Sequence, residues 1–419
     1  MLDESNQVSL INYAIIDNDP LGRSSDLSQF EKDIIIKFLN TLTVEELVNF
    51  YPEDLKQQAL NHTNYNSIKN DTWEVNEESV EINILSSNFF YDSVKISIEQ
   101  EEGTIHLALK MSLDPENKKL SRERDALKSV PNLVSPQLFA YRNDESVGLE
   151  FLLTSWEHSQ NFATLGINDL EYNFGTLAAV LDTVHESDKS NSISFAQNFA
   201  ENESILESSV SSDEVEERER LMFQKFTDLT REDLVAIYAE IKNNHLPQYK
   251  EDIAVLSHAN LQKSNILYQS EYIKLINFEH SHVCDIYYSL LKVVNNLSLY
   301  KNITSIKRFL TKYHHHSNLL NGISLPQFLA KYEEKRELNK ILLFQEILSK
   351  ILFHFAAYGA FFKKEKLEHY MNLYINMKPT LEKVFPQYMA SFDKLFFTCM
   401  PTVKTYDIEE LKAIAEMYE

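Results

Sequence analysis

Glycine is scarce in this sequence, with 7 glycines among 419 residues. Loops that wrap around phosphate groups depend on glycine, because a residue without a Cβ lets the backbone approach the ligand closely. The sequence contains no Walker loop, no dinucleotide-binding glycine pattern and no serine nucleophile elbow. These absences exclude the commonest glycine-based nucleotide-binding and acyl-transfer motifs.

Cysteine is scarce as well. Two cysteines, Cys284 and Cys399, do not make a disulfide framework, which indicates a reducing compartment. The first residues contain no basic region followed by an apolar one, so we expect no secretory signal. No apolar run reaches the roughly 18–20 residues that a membrane-spanning helix needs. Together these features predict a cytoplasmic protein without a membrane span.

Positive charge is in deficit. The chain has 40 lysines and arginines against 63 aspartates and glutamates, a formal net charge of −23. Binding to nucleic acid or to an anionic membrane needs clustered basic side chains, so the sequence argues against both kinds of partner. The hydrophobic content of 43% is high enough for most of the chain to fold.

The polar and apolar pattern changes twice along the chain. Residues 1–78 show helical spacing, with a clear apolar face at 28–39 and a capping box at 43–46. Alternating runs then predict five strands with one helix, at 120–127, among them. The strands are expected at 80–85, 94–98, 105–110, 137–141 and 148–154. From residue 157 to 419 helical spacing dominates, including one helix over 169–185. The sequence therefore predicts an α+β protein with segregated layers and boundaries near residues 78 and 156.

Residues 186–217 form an acidic insert that is rich in serine, glutamate and asparagine and poor in aliphatic residues. Two interpretations stay open for it, a mobile lid and a solvated linker with some helix, and the composition favours the linker.

A motif lies between residues 255 and 290. It begins with Val-Leu-Ser-His-Ala-Asn-Leu-Gln-Lys-Ser-Asn-Ile-Leu at 255–267, continues with Leu-Ile-Asn-Phe-Glu at 275–279, and ends with Cys-Asp-Ile-Tyr-Tyr-Ser-Leu at 284–290. It resembles the aminoglycoside phosphotransferase and choline kinase superfamily, whose loop reads His-Gly-Asp-Leu-His-x-x-Asn and whose metal strand reads Ile-Asp-Phe-Glu. The resemblance implies a protein-kinase-like bilobal fold, with a small antiparallel sheet in the N-lobe (79–156), a helical C-lobe (157–419) and an N-terminal helical extension.

The resemblance also implies a chemistry, the transfer of a phosphoryl group from ATP with magnesium, to which the fold contributes positioning and charge neutralisation. In the catalytic loop, His258 matches the motif histidine and Ala259 stands where glycine is usual. Asn260 stands at the catalytic aspartate, Gln262 replaces a second histidine, and Asn265 matches the metal-binding asparagine.

The metal strand departs from the family pattern in the same direction. Asn277 replaces the metal aspartate, whereas Glu279 matches the acidic residue two positions later. On an extended strand Glu279 is expected on the same side as Asn277. In the last part of the motif, Asp285 matches one aspartate of the family, and Ser289 stands where the family has a final aspartate.

Upstream residues fall in the family's order. By resemblance, Lys110 contacts nucleotide phosphates, Glu123 pairs with that lysine, and Trp156 lies in the hinge where adenine would bind. Residues 174–185 match the helix after the hinge. The family's phosphate loop corresponds to residues 85–92, which contain no glycine.

The two aspartate-to-asparagine differences weaken catalysis in two ways. An asparagine side chain does not accept a proton as a base does, and it brings no negative charge to magnesium. With the glycine-free loop, they favour a catalytically impaired pseudokinase that acts as a binding or regulatory module for a protein partner. ATP and magnesium binding would then be weak or absent.

Two alternatives stay open. In the first, Glu279 serves as substitute metal ligand and the protein is an active ATP-dependent kinase for a small hydroxylated or cationic substrate, with which the acidic composition is compatible. In the second, the chain is a scaffold subunit of a larger complex.

Overall fold

The computed structural model describes most of the chain. The described residues are 27–43, 46, 75, 77–87, 92–100, 103–112, 118–144, 149–157, 160–162, 167–211, 228–269, 272–358 and 364–399. The chain divides into two compact units, the first made of residues 1–128 and 135–159 and the second of residues 129–134 and 160–419. The α+β class is confirmed, because the first unit contains a five-stranded antiparallel sheet and the second is mostly helical.

The sheet of the first unit follows the predicted alternating runs. Its strands are β1 (Val80–Ser87), β2 (Asp92–Gln100), β3 (Gly103–Ser112), β4 (Leu138–Asp144) and β5 (Leu149–Ser155). They lie in the order β1-β2-β3-β5-β4, and every neighbouring pair is antiparallel. Gln100 pairs with Gly103, so β2 and β3 form an antiparallel hairpin. Between β3 and β4 runs the predicted helix, α2 (Lys119–Ser129).

A helix from the N-terminal region packs into the core of this sheet. Helix α1 (Gln29–Leu39) begins at Ser28, which forms a capping box with Glu31. Its Ile35, Phe38 and Leu39 are buried with the apolar face of β2, β3 and β5. The Phe38 ring stacks on Phe151 of β5 at 4.6 Å between centroids. Helix α1 thus completes the core of the first unit, although it lies before the domain boundary predicted near residue 78.

The capping box predicted at 43–46 is also present. The Thr43 N–H donates to Glu46 Oε2 (2.8 Å), and the Glu46 N–H donates to Thr43 Oγ1 (3.3 Å).

The second unit is built from helices. They are α3 (Ile167–Tyr172), α4 (Phe174–Glu186), α5 (Phe195–Ser211), α6 (Arg231–Glu240), α7 (Ile286–Asn296), α8 (Ile303–His316), α9 (Leu325–Tyr358), α10 (Lys364–Val384) and α11 (Met389–Asp393). The expectation of one helix over 169–185 was wrong. A break at Asn173, with φ −89° and ψ 6°, separates α3 from α4. No helix among the described residues is both long and apolar enough to cross a membrane.

Short strands support the motif region of this unit. They are β6 (Gln160–Asn161), β7 (Ala254–Ser257), β8 (Ile266–Gln269), β9 (Tyr272–Leu275) and β10 (His282–Asp285). Strand β7 pairs with β10, and β8 pairs with both β6 and β9. The catalytic-loop segment therefore leaves β7 and enters β8, and the segment with Asn277 joins β9 to β10.

The acidic insert is helical over most of its described length. Helix α5 covers Phe195–Ser211, and Phe195 and Phe199 are buried. The helix packs against α9, where Gln345 Nε2 donates to the Phe199 carbonyl (3.5 Å). The expectation of some helix is confirmed, but these aromatic side chains are packed rather than solvated. Residues 212–217 lie outside the described residues.

Candidate functional site

His258 is the first residue after β7, and it ties the loop to the segment after β9. Its ring is buried and packs against Phe278 at 4.5 Å between centroids. His258 Nε2 lies 2.8 Å from the Ile276 carbonyl oxygen, and Nδ1 lies 3.4 Å from the Asn260 backbone nitrogen. This geometry fits a neutral imidazole that donates from Nε2 and accepts at Nδ1. The contacts make His258 a residue that positions the loop.

The loop turns sharply at Ala259, where φ is 61°. This left-handed conformation costs a residue with a Cβ about 1–2 kcal/mol, which explains why glycine suits the position. The turn keeps its shape with alanine, and the Ala259 N–H donates to Ser257 Oγ (3.2 Å).

Asn260, Asn265 and Asn277 form one hydrogen-bonded cluster. Asn265 Nδ2 donates to the Asn260 carbonyl oxygen (2.8 Å), and Asn277 Nδ2 donates to Asn265 Oδ1 (2.6 Å). The Ile276 N–H also donates to the Asn265 carbonyl oxygen (3.0 Å). Asn277 has a φ of 65°, a conformation that asparagine tolerates better than most residues. We call these three residues the amide cluster.

The amide cluster does not fit a divalent cation. Magnesium prefers charged oxygen ligands. Here the oxygen of Asn265 already accepts a hydrogen bond from the amide nitrogen of Asn277, and neither side chain carries charge. A hydrogen bond therefore lies where two metal ligands would converge. Among the described residues, no group of three or more His, Cys, Asp or Glu side chains is placed to hold a metal ion.

Glu279 does not lie on an extended strand together with Asn277, as the sequence predicted. Strand β9 ends at Leu275, Asn277 is left-handed, and Glu279 lies in a turn. The two-residue period of a strand therefore does not bring Glu279 to the side of Asn277, and that part of the expectation was wrong. The Glu279 side chain is buried, and its Oε1 lies 3.6 Å from His280 Nε2.

In the first unit, Lys110 and Glu123 form an ion pair. Lys110 Nζ lies 2.5 Å from Glu123 Oε2, and 13% and 5% of the two side chains are exposed. Lys110 is near the end of β3 and Glu123 is on α2. Trp156 follows β5, with Lys95 Nζ 5.2 Å from its ring centroid.

Solved structures of known phosphotransferases resemble this chain. A Plasmodium vivax ethanolamine kinase shares 13% identity over 88% of this chain and 98% of its own, with a TM-score of 0.52. A Cryptosporidium parvum choline kinase shares 11% identity over 88% and 100%, with a TM-score of 0.49. An aminoglycoside phosphotransferase shares 9% over 73% and 94%, with a TM-score of 0.47.

The ethanolamine kinase match decides the fold. The chain has the fold of this ethanolamine kinase. The resemblance inferred from the motif residues is thereby confirmed at the level of the fold. Neither protein-family models nor curated proteins gave a match.

Within this phosphotransferase fold, a buried chain of polar groups supports the loop. His185 Nδ1 lies 2.6 Å from the Tyr313 hydroxyl and Nε2 lies 2.9 Å from Ser289 Oγ. Ser289 Oγ lies 2.8 Å from Ser257 Oγ, which accepts the Ala259 N–H. Burial, together with the charge of Lys189, lowers the pKa of His185 to about 3. The imidazole is therefore neutral at pH 7 and suits a neutral serine at position 289.

Tyr313 was not among the sequence-derived site residues. It lies 128 positions from His185 along the chain, and a tyrosine on a helix gives no local signal of such a contact. Asp285 has a structural role here: it caps α7 by accepting the Tyr287 N–H (2.8 Å) and pairs with Lys335 Nζ (2.9 Å). Residues 88–91, which are half of the expected phosphate loop at 85–92, lie outside the described residues.

Proposed function

We propose that this chain is a catalytically impaired member of the choline kinase-like phosphotransferase fold that acts as a binding or regulatory module. The observation that carries the proposal is the Asn277–Asn265 hydrogen bond of 2.6 Å. It replaces the convergence of an anionic and a neutral oxygen on magnesium by a direct contact between two neutral amides.

The residue type at the catalytic aspartate position supports the same conclusion. Asn260 is half-buried and its backbone nitrogen lies 3.4 Å from His258 Nδ1, and a carboxamide at this sequence position does not act as a base. The loss of a positioned general base costs on the order of 10²–10⁴ in rate. The missing metal charge adds to that loss, because neutralisation of phosphate charge is a main source of catalysis in phosphoryl transfer.

Turnover measurements test the proposal. The wild-type protein is incubated with magnesium-ATP and a panel of hydroxylated small molecules that includes choline, ethanolamine and an aminoglycoside, and ADP release is followed. We expect no turnover above the background of the Asn265→Ala variant. Robust turnover that Asn265→Ala abolishes would contradict the proposal.

A second candidate is an active small-molecule kinase that uses Glu279 in place of the missing aspartate. The observation in its favour is that Glu279 is a buried acid, with 7% exposure, only two residues after Asn277. In that case Glu279→Gln removes all activity, whereas His280→Gln, which alters only its neighbour, preserves most of it. An enzyme that turns over equally well with Glu279→Gln excludes this candidate.

Nucleotide binding by the first unit and a protein partner are parts of the proposal. The buried Lys110–Glu123 ion pair supports a retained phosphate contact, and the charge of −23 supports a basic partner surface. Sedimentation of the isolated chain tests the scaffold alternative, since a well-behaved monomer argues against an obligate subunit.

A further inference from the structure

The orientation of Asn265 in the amide cluster is fixed from both ends. Its Nδ2 donates to the Asn260 carbonyl oxygen, and its Oδ1 accepts from Asn277 Nδ2. Turning the carboxamide by 180° would place nitrogen against nitrogen at Asn277 and oxygen against oxygen at Asn260. Both pairs repel, so the Asn265 carboxamide is held in this orientation, with one lone pair of its oxygen used by Asn277.

The rest of the amide cluster offers hydrogen-bond donors. An asparagine amide nitrogen carries two N–H groups, and Asn277 uses one of them on Asn265. The Asn260 side chain is half-buried and makes no hydrogen bond to any other described residue. Both residues therefore present neutral N–H groups at the two positions where the fold's active members carry carboxylates.

Carboxamides in place of carboxylates change which ligand the amide cluster attracts. Two carboxylates repel phosphate oxygens, so a cation must lie between them. Neutral amide N–H groups donate directly to phosphate oxygens and need no cation. A divalent cation bound to the ligand also occupies phosphate oxygens that the amides would otherwise contact.

We propose that the amide cluster binds the phosphate groups of a small-molecule ligand directly, without a divalent cation. The inference rests on the proposed function, because a cluster used in this way performs no magnesium-dependent transfer. The ligand class is a phosphate ester or polyphosphate, of which a nucleoside triphosphate is one source and a free polyphosphate another.

Calorimetric titration of the full chain tests the proposal. The probes are ATP, inorganic tripolyphosphate and adenosine, each titrated once in EDTA and once in millimolar magnesium. We expect ATP to bind in EDTA at least as tightly as in magnesium. Binding of ATP but not tripolyphosphate identifies a nucleotide as the source, whereas equal binding of both identifies the phosphates alone as the recognised group.

Two variants locate the binding at the amide cluster. Asn277→Asp is expected to weaken ATP binding in EDTA by about tenfold or more, because a donor becomes a negative acceptor, and to make the remaining binding depend on magnesium. Asn260→Asp is expected to act in the same direction without touching the Asn265 hydrogen bonds. The matched control is Asn302→Asp, which adds the same charge at the exposed N-cap of α8 and should leave the affinity unchanged.

Three outcomes overturn the proposal. In the first, the wild-type protein binds ATP only when magnesium is present. In the second, neither ATP nor tripolyphosphate binds in EDTA. In the third, ligand binds in EDTA, but neither Asn277→Asp nor Asn260→Asp weakens the binding. None of these binding results would show that the protein is catalytically active. The proposed function fails only on turnover, so the two failures are distinguishable.

Discussion

At the scale of single residues, Asn277 has the largest effect on the candidate site. Its backbone is left-handed, and its amide nitrogen donates to a buried neighbour, Asn265. At this position the backbone leaves the extended conformation of β9, and the side chain contacts the loop through Asn265. The chemistry of the site therefore depends on one side-chain atom, since asparagine and aspartate differ here only in N–H₂ against O.

The stability of an Asn277→Asp variant should depend on magnesium. In EDTA the new carboxylate faces Asn265 Oδ1, so a hydrogen bond is replaced by a repulsive oxygen pair. We expect a loss of about 1–3 kcal/mol in the free energy of unfolding. Millimolar magnesium should recover part of the loss by binding between the two oxygens. Chemical denaturation in EDTA and in magnesium measures both effects. Asn302→Asp is the control, and an Asn277→Asp variant as stable as wild type in EDTA would contradict the assignment.

At the scale of elements, α1 belongs to the core of the first unit although it precedes the sheet by some forty residues. Phe38→Ala removes a buried ring that stacks on Phe151. We expect it to lower the free energy of unfolding by about 3–5 kcal/mol. Leu85→Ala, at a strand position that is 48% exposed, is the control and should cost far less. If Phe38→Ala costs no more than this control, α1 is an independent appendage.

Helices α7 and α9 are joined by a buried ion cluster. Lys292 of α7 and Lys350 of α9 both contact Glu346 of α9, at 2.7 Å each. Burial opposes ionisation of Glu346, but the two ammonium groups outweigh it and hold its pKa well below the usual range. The carboxylate is thus neutralised within the protein.

Removing this carboxylate should be costly. Glu346→Gln leaves the Lys292 ammonium buried without a counter-charge, and we expect it to lower the free energy of unfolding by about 3–5 kcal/mol. The matched control is Glu334→Gln, which breaks an exposed pair with Lys331 and should cost less than about 1 kcal/mol. Adding Lys292→Met to Glu346→Gln should recover part of the loss. Thermal or denaturant unfolding of the three variants decides, and equal effects for Glu346→Gln and Glu334→Gln would refute the role of the cluster.

At the scale of the whole molecule, two buried histidines predict a pH dependence of stability. Burial, with a nearby lysine in each case, lowers the pKa of His185 and of His282 from 6.5 to about 3. The unfolded chain therefore takes up protons that the folded protein refuses between these values, and stability falls as the pH drops from 6.5 toward 3.

The expected loss between pH 7 and pH 5 is about 2 kcal/mol for each of these histidines. Denaturant unfolding at the two pH values measures it. His282→Gln should reduce the loss by about half, whereas His315→Gln, at an exposed position on α8, should leave it unchanged. A stability that is flat between pH 7 and pH 5 would show that these rings take up protons in the folded state.

Much of the fold was predictable from the sequence because its signals are local. Strand alternation, the helix spacing of 120–127 and the capping box at Thr43 each involve residues that are close along the chain. The spacing from His258 to Asn265 is local too, so the loop was found although its family glycine is absent. The helix break at Asn173 was missed because the apolar spacing continues across it.

The sequence by itself determined what the site lacks. Asn260 and Asn277 have no ionisable group, and no folding alters that. Only the tertiary structure decided what the amides do instead. Asn265 and Asn277 are twelve residues apart, so their contact depends on how the end of β9 approaches the loop and on a backbone φ that sequence spacing does not specify. The position of Glu279 depends on the same two features, because the backbone conformation sets the direction of each side chain.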